Sequence, residues 1–151
     1  MHSLVRRYIK TAVGFLTVGL GLGGWMIVQR ELRGQYPSAY EISAHTHTIF
    51  VGFVMMMILG VALWLFPRPE KADTRYRPAL AEAAYWCVTV GTAARVLGEL
   101  LRTVSGSAWL RWSVVLAGFV QIAGLLLFFY TMWSRIRAVG SQIREANGER
   151  F

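Results

Sequence analysis

His45 and His47 stand in the stretch SAHTHTIFVGF, Ser43–Phe53, at the head of nineteen consecutive uncharged residues, Thr48–Phe66. Imidazole can bind a metal, serve as an axial donor to haem iron or move a proton near neutral pH. An unpaired polar group in hydrocarbon costs several kcal/mol, so ionisable side chains at a membrane boundary mark candidate sites. The third histidine, His2, lies in an N-terminus expected to fray.

The spacing limits the chemistry. Positions two apart in sequence are separated by roughly 200° around a helix, so both rings cannot address one ion from one regular helix. The pair is therefore unlike an i, i+4 chelate such as H-E-x-x-H. Each ring is either an interfacial polar residue or a ligand, and the residues by themselves leave both readings open.

A haem b needs one or two axial donors, an apolar slot and cations for its propionates. His45 or His47 can supply the imidazole, and Gly52, Gly60 and the glycines of the first apolar block can supply room. Arg95, with Arg102 as a second cation, can meet propionates; the competing reading pairs Arg95 with Glu99, four residues on and on the same helix face, or lets it snorkel to the interface. Met26 is a candidate second axial donor, and a histidine from another copy is the alternative. Copper is disfavoured, because Met55, Met56 and Met57 point one per direction around a helix, as packing residues do. The single cysteine, Cys87, rules out an internal disulfide, a thiolate cluster and covalent haem attachment through C-x-x-C-H.

Composition places these residues in a membrane. Of 151 residues 55% are hydrophobic, mean hydropathy is +0.43, and the apolar residues fall in blocks. The net charge of +8 sits between the blocks, where it reads as a topology signal and a contact for anionic lipid; no basic face remains for nucleic acid. The expectation is an all-α integral membrane protein, one domain over 1–151. Its four antiparallel spans run up and down at about 8–29, 46–66, 79–101 and 109–134, ahead of a polar tail, 135–151, read as a fraying helical extension.

The first span, with Gly19 and Gly23 in G-x-x-x-G and Gly14, Gly21 and Gly24 nearby, offers a surface for close helix approach or for a flat cofactor. It is too long for a secretory signal and shows no cleavage site. Pro37 and Ser38 mark a helix start just after them, and Pro67 a helix stop. The third span is the least apolar, with Glu82, Arg95 and Glu99, and carries a small-residue stripe of Ala84, Cys87, Gly91, Ala94 and Gly98. Gln121 is the one strongly polar residue inside the last span. Eleven lysines and arginines flank one side of these spans and four the other, so both termini are expected in the cytoplasm and the histidines at the outer face.

AHTHTIFVGF, continuing through MILGVALWLFPRP, resembles the second span of the catalytic subunit of haem–copper oxidases, the C-family oxidases and the related nitric oxide reductases in particular. In that family a histidine at the outer end of the span ligates the low-spin haem b. The glycine-rich first span and the Pro-terminated exit resemble the family's opening hairpin. The chain is similar also to small four-span, subunit-I-like proteins that carry His-x-His, a glycine five residues on and a terminal proline. The motifs cover about residues 8–70; the last two spans agree in general character only.

The resemblance implies His47 as haem ligand, in the setting of Thr48 and Gly52, with His45 as neighbour or alternative. It also implies a bacterial or archaeal cytoplasmic (inner) membrane. The full-length enzymes have many more spans and a later histidine cluster for a binuclear centre. No histidine follows His47 here, so one copy cannot build that centre. The expectation is a membrane haem b protein, a homodimer, acting in electron transfer or diatomic gas (NO or O2) binding, oxidoreductase-like with turnover undecided. Its partners would be a respiratory-chain electron donor or a larger oxidase complex. The alternative is a cofactor-free accessory or assembly subunit of such a complex.

Overall fold

A computed structural model of the chain describes residues 3–67, 76–137 and 140–148. His2 and the basic residues Arg68, Lys71, Arg75 and Arg150, which contribute to the charge bias, lie outside them. The elements are α1 (Ser3–Arg33), α2 (Ala39–His47), a π-helical segment (Thr48–Met55), α3 (Met56–Leu65), α4 (Pro78–Arg102), α5 (Ala108–Met132), a 3-10 turn (Trp133–Arg135) and α6 (Ser141–Ala146). No strand occurs among the described residues. Ser3–Arg33, Ala39–Leu65 and Ala108–Arg135 are each long and apolar enough to cross a membrane. α4 has 25 residues, but Glu82, Arg95 and Glu99 dilute its hydropathy.

Local chemistry sets the ends. Ser38 opens α2 with a capping box: its hydroxyl accepts the Glu41 amide at 3.2 Å, and its own amide donates to Glu41 Oε2 at 2.8 Å. α3 stops where Phe66 is forced extended (φ −68°, ψ 145°) by the ring of Pro67. Arg77 is extended for the same reason, and Pro78 is the first residue of α4, where its missing N–H costs nothing. Gly34, with φ 63°, turns the chain out of α1.

The long helices alternate in direction. α1 packs against the π segment and α3, α4 against α2, and α5 against α4. A Cβ on Gly60 would lie 2.9 Å from Tyr8, and one on Gly23 3.0 Å from His45, so α1 and the α2–α3 rod run antiparallel and nearly touch. On the other side a Cβ on Gly91 would meet the Gln121 amide nitrogen at 2.8 Å, and one on Gly98 would meet Val114 at 2.7 Å. The small-residue stripe of α4 thus brings its backbone against that of α5. Near the start of α1 the layers close on an aromatic knot: Tyr8 meets Tyr85 edge-on at 5.0 Å and Phe128 at 5.9 Å, over Met56, Leu59 and Val88.

The π segment has a packing rationale. From Ala44 to Met56 the buried positions are Ala44, Thr48, Gly52 and Met56, each four after the last. Steps of four drift about 40° each around an α-helix. The wider π turn counters that drift and holds the row on one face.

α5 does not run on as a single helix. It gives way to the 3-10 turn, and Arg135, 4% exposed, folds back onto the end of α3. Its Nε donates to the Pro67 carbonyl at 2.7 Å, and its Nη2 donates to those of Leu63 and Phe66 at 3.2 and 3.1 Å. A helix leaves its last carbonyls unpaired and bears partial negative charge there, so a buried guanidinium satisfies both. Arg135→Ala is expected to destabilise the protein by about 1–3 kcal/mol, read as a lower thermal midpoint in detergent, whereas exposed Arg6→Ala leaves the midpoint within error.

Candidate functional site: a buried histidine–carboxylate–arginine network

The histidines sit at the end of the bundle opposite Arg135, and they face different neighbours. His45 turns to α1, where its Nδ1 lies 3.0 Å from the Gly19 carbonyl. The G-x-x-x-G surface makes this possible, because a side chain at Gly23 would collide with the ring at Cε1. The flat group seated on the glycine face is the imidazole itself. Met26 follows on that face about one turn beyond Gly23 and is half-buried.

His47 turns to α4. Its Nδ1 donates to the Ser43 carbonyl one turn earlier at 2.8 Å and lies 3.5 Å from Glu99 Oε2. Neither Nε2 makes a hydrogen bond among the described residues, whereas both Nδ1 atoms are engaged. Such an arrangement fixes which nitrogen keeps its proton and leaves the other as a donor for a metal.

Glu99 is only 3% exposed, and its charge is answered by side chains from α2 and from α4 itself. Oε1 accepts from Ser43 Oγ at 2.9 Å and from Arg95 Nε at 3.1 Å. Oε2 has no hydrogen-bond partner, so the His47 ring is the polar group facing it. Arg95 extends the chain, donating through Nη1 to Gln121 Oε1 at 3.3 Å, and Gln121 Nε2 donates to the buried Thr92 hydroxyl at 2.9 Å. Arg95 also lines a groove of about 250 Å³ on α5, between Val114, Val115, Gly118, Phe119 and Ile122, open to the outside.

The other positions named from sequence are also placed. Gly52 is buried against the Phe15 ring, which a Cβ there would meet at 2.5 Å. Gly60 receives Tyr8 and Ile9. Both gaps are therefore filled by helix contact. Arg102 stacks over Tyr40 at 4.8 Å and donates to its hydroxyl through Nη2, while its Nη1 is buried without a partner. Sequence reasoning singled out Gln121 and the Arg95–Glu99 spacing but not Ser43, nor the link from Gln121 to Arg95. The usable signal was depth: a lone amide inside an apolar span must find a polar partner at its own level.

A family model for cytochrome c and quinol oxidase polypeptide I matches residues 3–145. The chain belongs to that family. No curated protein and no solved structure matches it. The match extends the resemblance from the opening hairpin, where the motifs lie, to both later helices. As a polypeptide I family member with three helices long and apolar enough to span a bilayer, it is a multi-pass membrane protein.

Removing one member of a buried ion pair leaves the other uncompensated, which costs about 3 kcal/mol or more. Arg95→Ala is therefore expected to be more damaging than the double variant Arg95→Ala/Glu99→Ala, with a coupling of about 1–3 kcal/mol in a double-mutant cycle. Unfolding in mixed detergent measures it; additive effects would show that the contact carries no energy.

Proposed function

We propose that this polypeptide I family member is a membrane b-type haem protein whose iron is held by Nε2 of His47 near the outer face. The observation that carries the reading is the set of the His47 ring, its Nδ1 held by the Ser43 carbonyl beside Glu99 and its Nε2 left as a donor. Family members bind haem and copper, and an imidazole fixed in this way suits a haem iron. The residues fit the group at a second point, since the buried, unpaired Nη1 of Arg102 is a ready partner for a propionate. Bound haem supplies one-electron chemistry at iron or a coordination position for NO or O2.

The chain's own residues orient and shield. Ser43 and Glu99 hold His47 from one side; His45, held at Gly19, is the alternative ligand or the second donor lent by another copy, with Met26 as the intramolecular candidate. Supply of a second ligand by a partner copy motivates the homodimer. In this reading α4 is a fourth span, charged residues included, because its carboxylate and guanidinium are paired with each other. Both termini are then cytoplasmic, in keeping with the excess of Lys and Arg on that side.

The test is the absorption spectrum of protein purified in detergent, oxidised and dithionite-reduced, with and without carbon monoxide. Expected are b-type reduced bands that His47→Ala abolishes and His45→Ala weakens. Bands unmoved by the gas mean a six-coordinate electron carrier; shifted bands mean an open iron. A spectrum without haem sinks the proposal.

One observation favours a second reading, a cofactor-free accessory or assembly subunit of an oxidase complex. The glycine gaps between α1 and the α2–α3 rod are closed by Phe15, Ile49, Tyr8 and His45. Co-purification with a larger oxidase, with unchanged stability of His45→Ala and His47→Ala, would decide for it.

A further inference from the structure

The polar network does more than satisfy buried groups. Glu99 comes from α4 and His47 from α2, and their juxtaposition depends on tertiary packing. The carboxylate is divided in use: Oε1 takes the Ser43 hydroxyl and the Arg95 Nε–H, whereas Oε2 has no hydrogen bond and stands 3.5 Å from His47 Nδ1. A carboxylate oxygen without a hydrogen bond, on a side chain 4% exposed, is costly to keep. It is explained if it faces a ring that becomes more positive when Nε2 binds a metal cation.

We propose that Glu99 is a positioning residue that sets the reduction potential of the iron held by His47. The inference rests on the haem reading above and adds a determinant to it. The His47 Nδ1–H has two acceptors in reach, the Ser43 carbonyl and Glu99 Oε2. Electron density placed on Nδ1 is passed through the ring to Nε2, making it a stronger donor to the ferric state. The buried negative charge acts in the same direction through space, in surroundings where screening is weak. Reduction adds one electron to iron and moves no proton, so Glu99 opposes it throughout. Arg95, bonded to the far oxygen and to Gln121, tempers this charge, and Ser43 Oγ holds the carboxylate in register.

The experiment is a potentiometric titration of full-length, haem-loaded protein in detergent, with dithionite as reductant, monitored by the reduced bands. Glu99→Gln keeps the shape and removes the charge. Its expected effect is at least a tenfold shift of the one-electron equilibrium toward the reduced form, a rise of about 59 mV, with the absorption bands unchanged. Glu82→Gln, which loses an exposed carboxylate paired with Arg7, leaves the potential in place. Should Glu99→Gln fail to accumulate, Arg95→Gln/Glu99→Gln leaves no unpaired buried charge and moves the potential upward by less. Haem bound with an unmoved or lowered potential in these variants overturns the role of Glu99 and leaves the haem reading intact. Wild-type protein without haem overturns both.

Discussion

A hydrocarbon interior offers no water to a polar group, and this constraint organises the bundle. Glu99 and Arg95 lie within a helix packed between α2 and α5, and each can remain there only if its neighbours answer its charge or its N–H groups. The answer is assembled from Ser43 and His47 on α2, Thr92 on α4 and Gln121 on α5. These contacts tie three helices together at one level of the bundle. The same demand operates at the other end, where the last carbonyls of α3 receive the guanidinium of Arg135. Between the two polar levels the helices are held mainly by shape, with one hydrogen bond between Thr11 and Tyr85 at 2.8 Å.

That shape is a matter of missing side chains. Apolar association provides little drive between helices already surrounded by lipid, so close approach and dispersion take its place. Gly91 and Gly98 bring α4 onto α5, while Gly23 and Gly60 bring α1 onto the α2–α3 rod. The network depends on this fit. Gln121 reaches Arg95 because its own backbone lies against Gly91, and His45 reaches a backbone carbonyl because Gly23 leaves the space. Packing and hydrogen bonding are here a single arrangement, since a Cβ at Gly23 would stand 3.0 Å from the His45 ring and push it from its place.

Much of this was legible in the sequence because it is written locally. Pro37 and Ser38 mark a helix start, Pro67 ends a helix, and the Arg95–Glu99 spacing forecasts an ion pair, all within a few residues. The small-residue stripe of α4 likewise pointed to a tight contact, though not to its partner. What could not be read depends on long-range geometry. Arg135 looks like any basic residue after a span, and its place at α3 follows only from the loop returning there. The π segment has no residue signature; it answers a buried row whose spacing becomes meaningful once the neighbouring helices are placed. The roles of Gly52 and Gly60 divided on the same ground, since a glycine in sequence reads equally as room for a cofactor or as contact with a helix, and here Phe15 and Tyr8 fill the space.

The position of the histidines bears on which chemistry such a chain can host. With His45 held to α1 and His47 to α4, the two rings diverge from one helix, so a single copy offers two separated donors and not a chelate. No further histidine follows in this sequence to join either of them. Within one copy the two rings point to different helices and do not converge. In the proposed reading one fixed imidazole, that of His47, holds the iron. The carboxylate behind the His47 ring is then informative, because a merely interfacial histidine needs no buried anion at its back. Keeping Glu99 there requires Arg95, and keeping Arg95 requires Gln121, so the sequence commits residues on three helices to the surroundings of one ring.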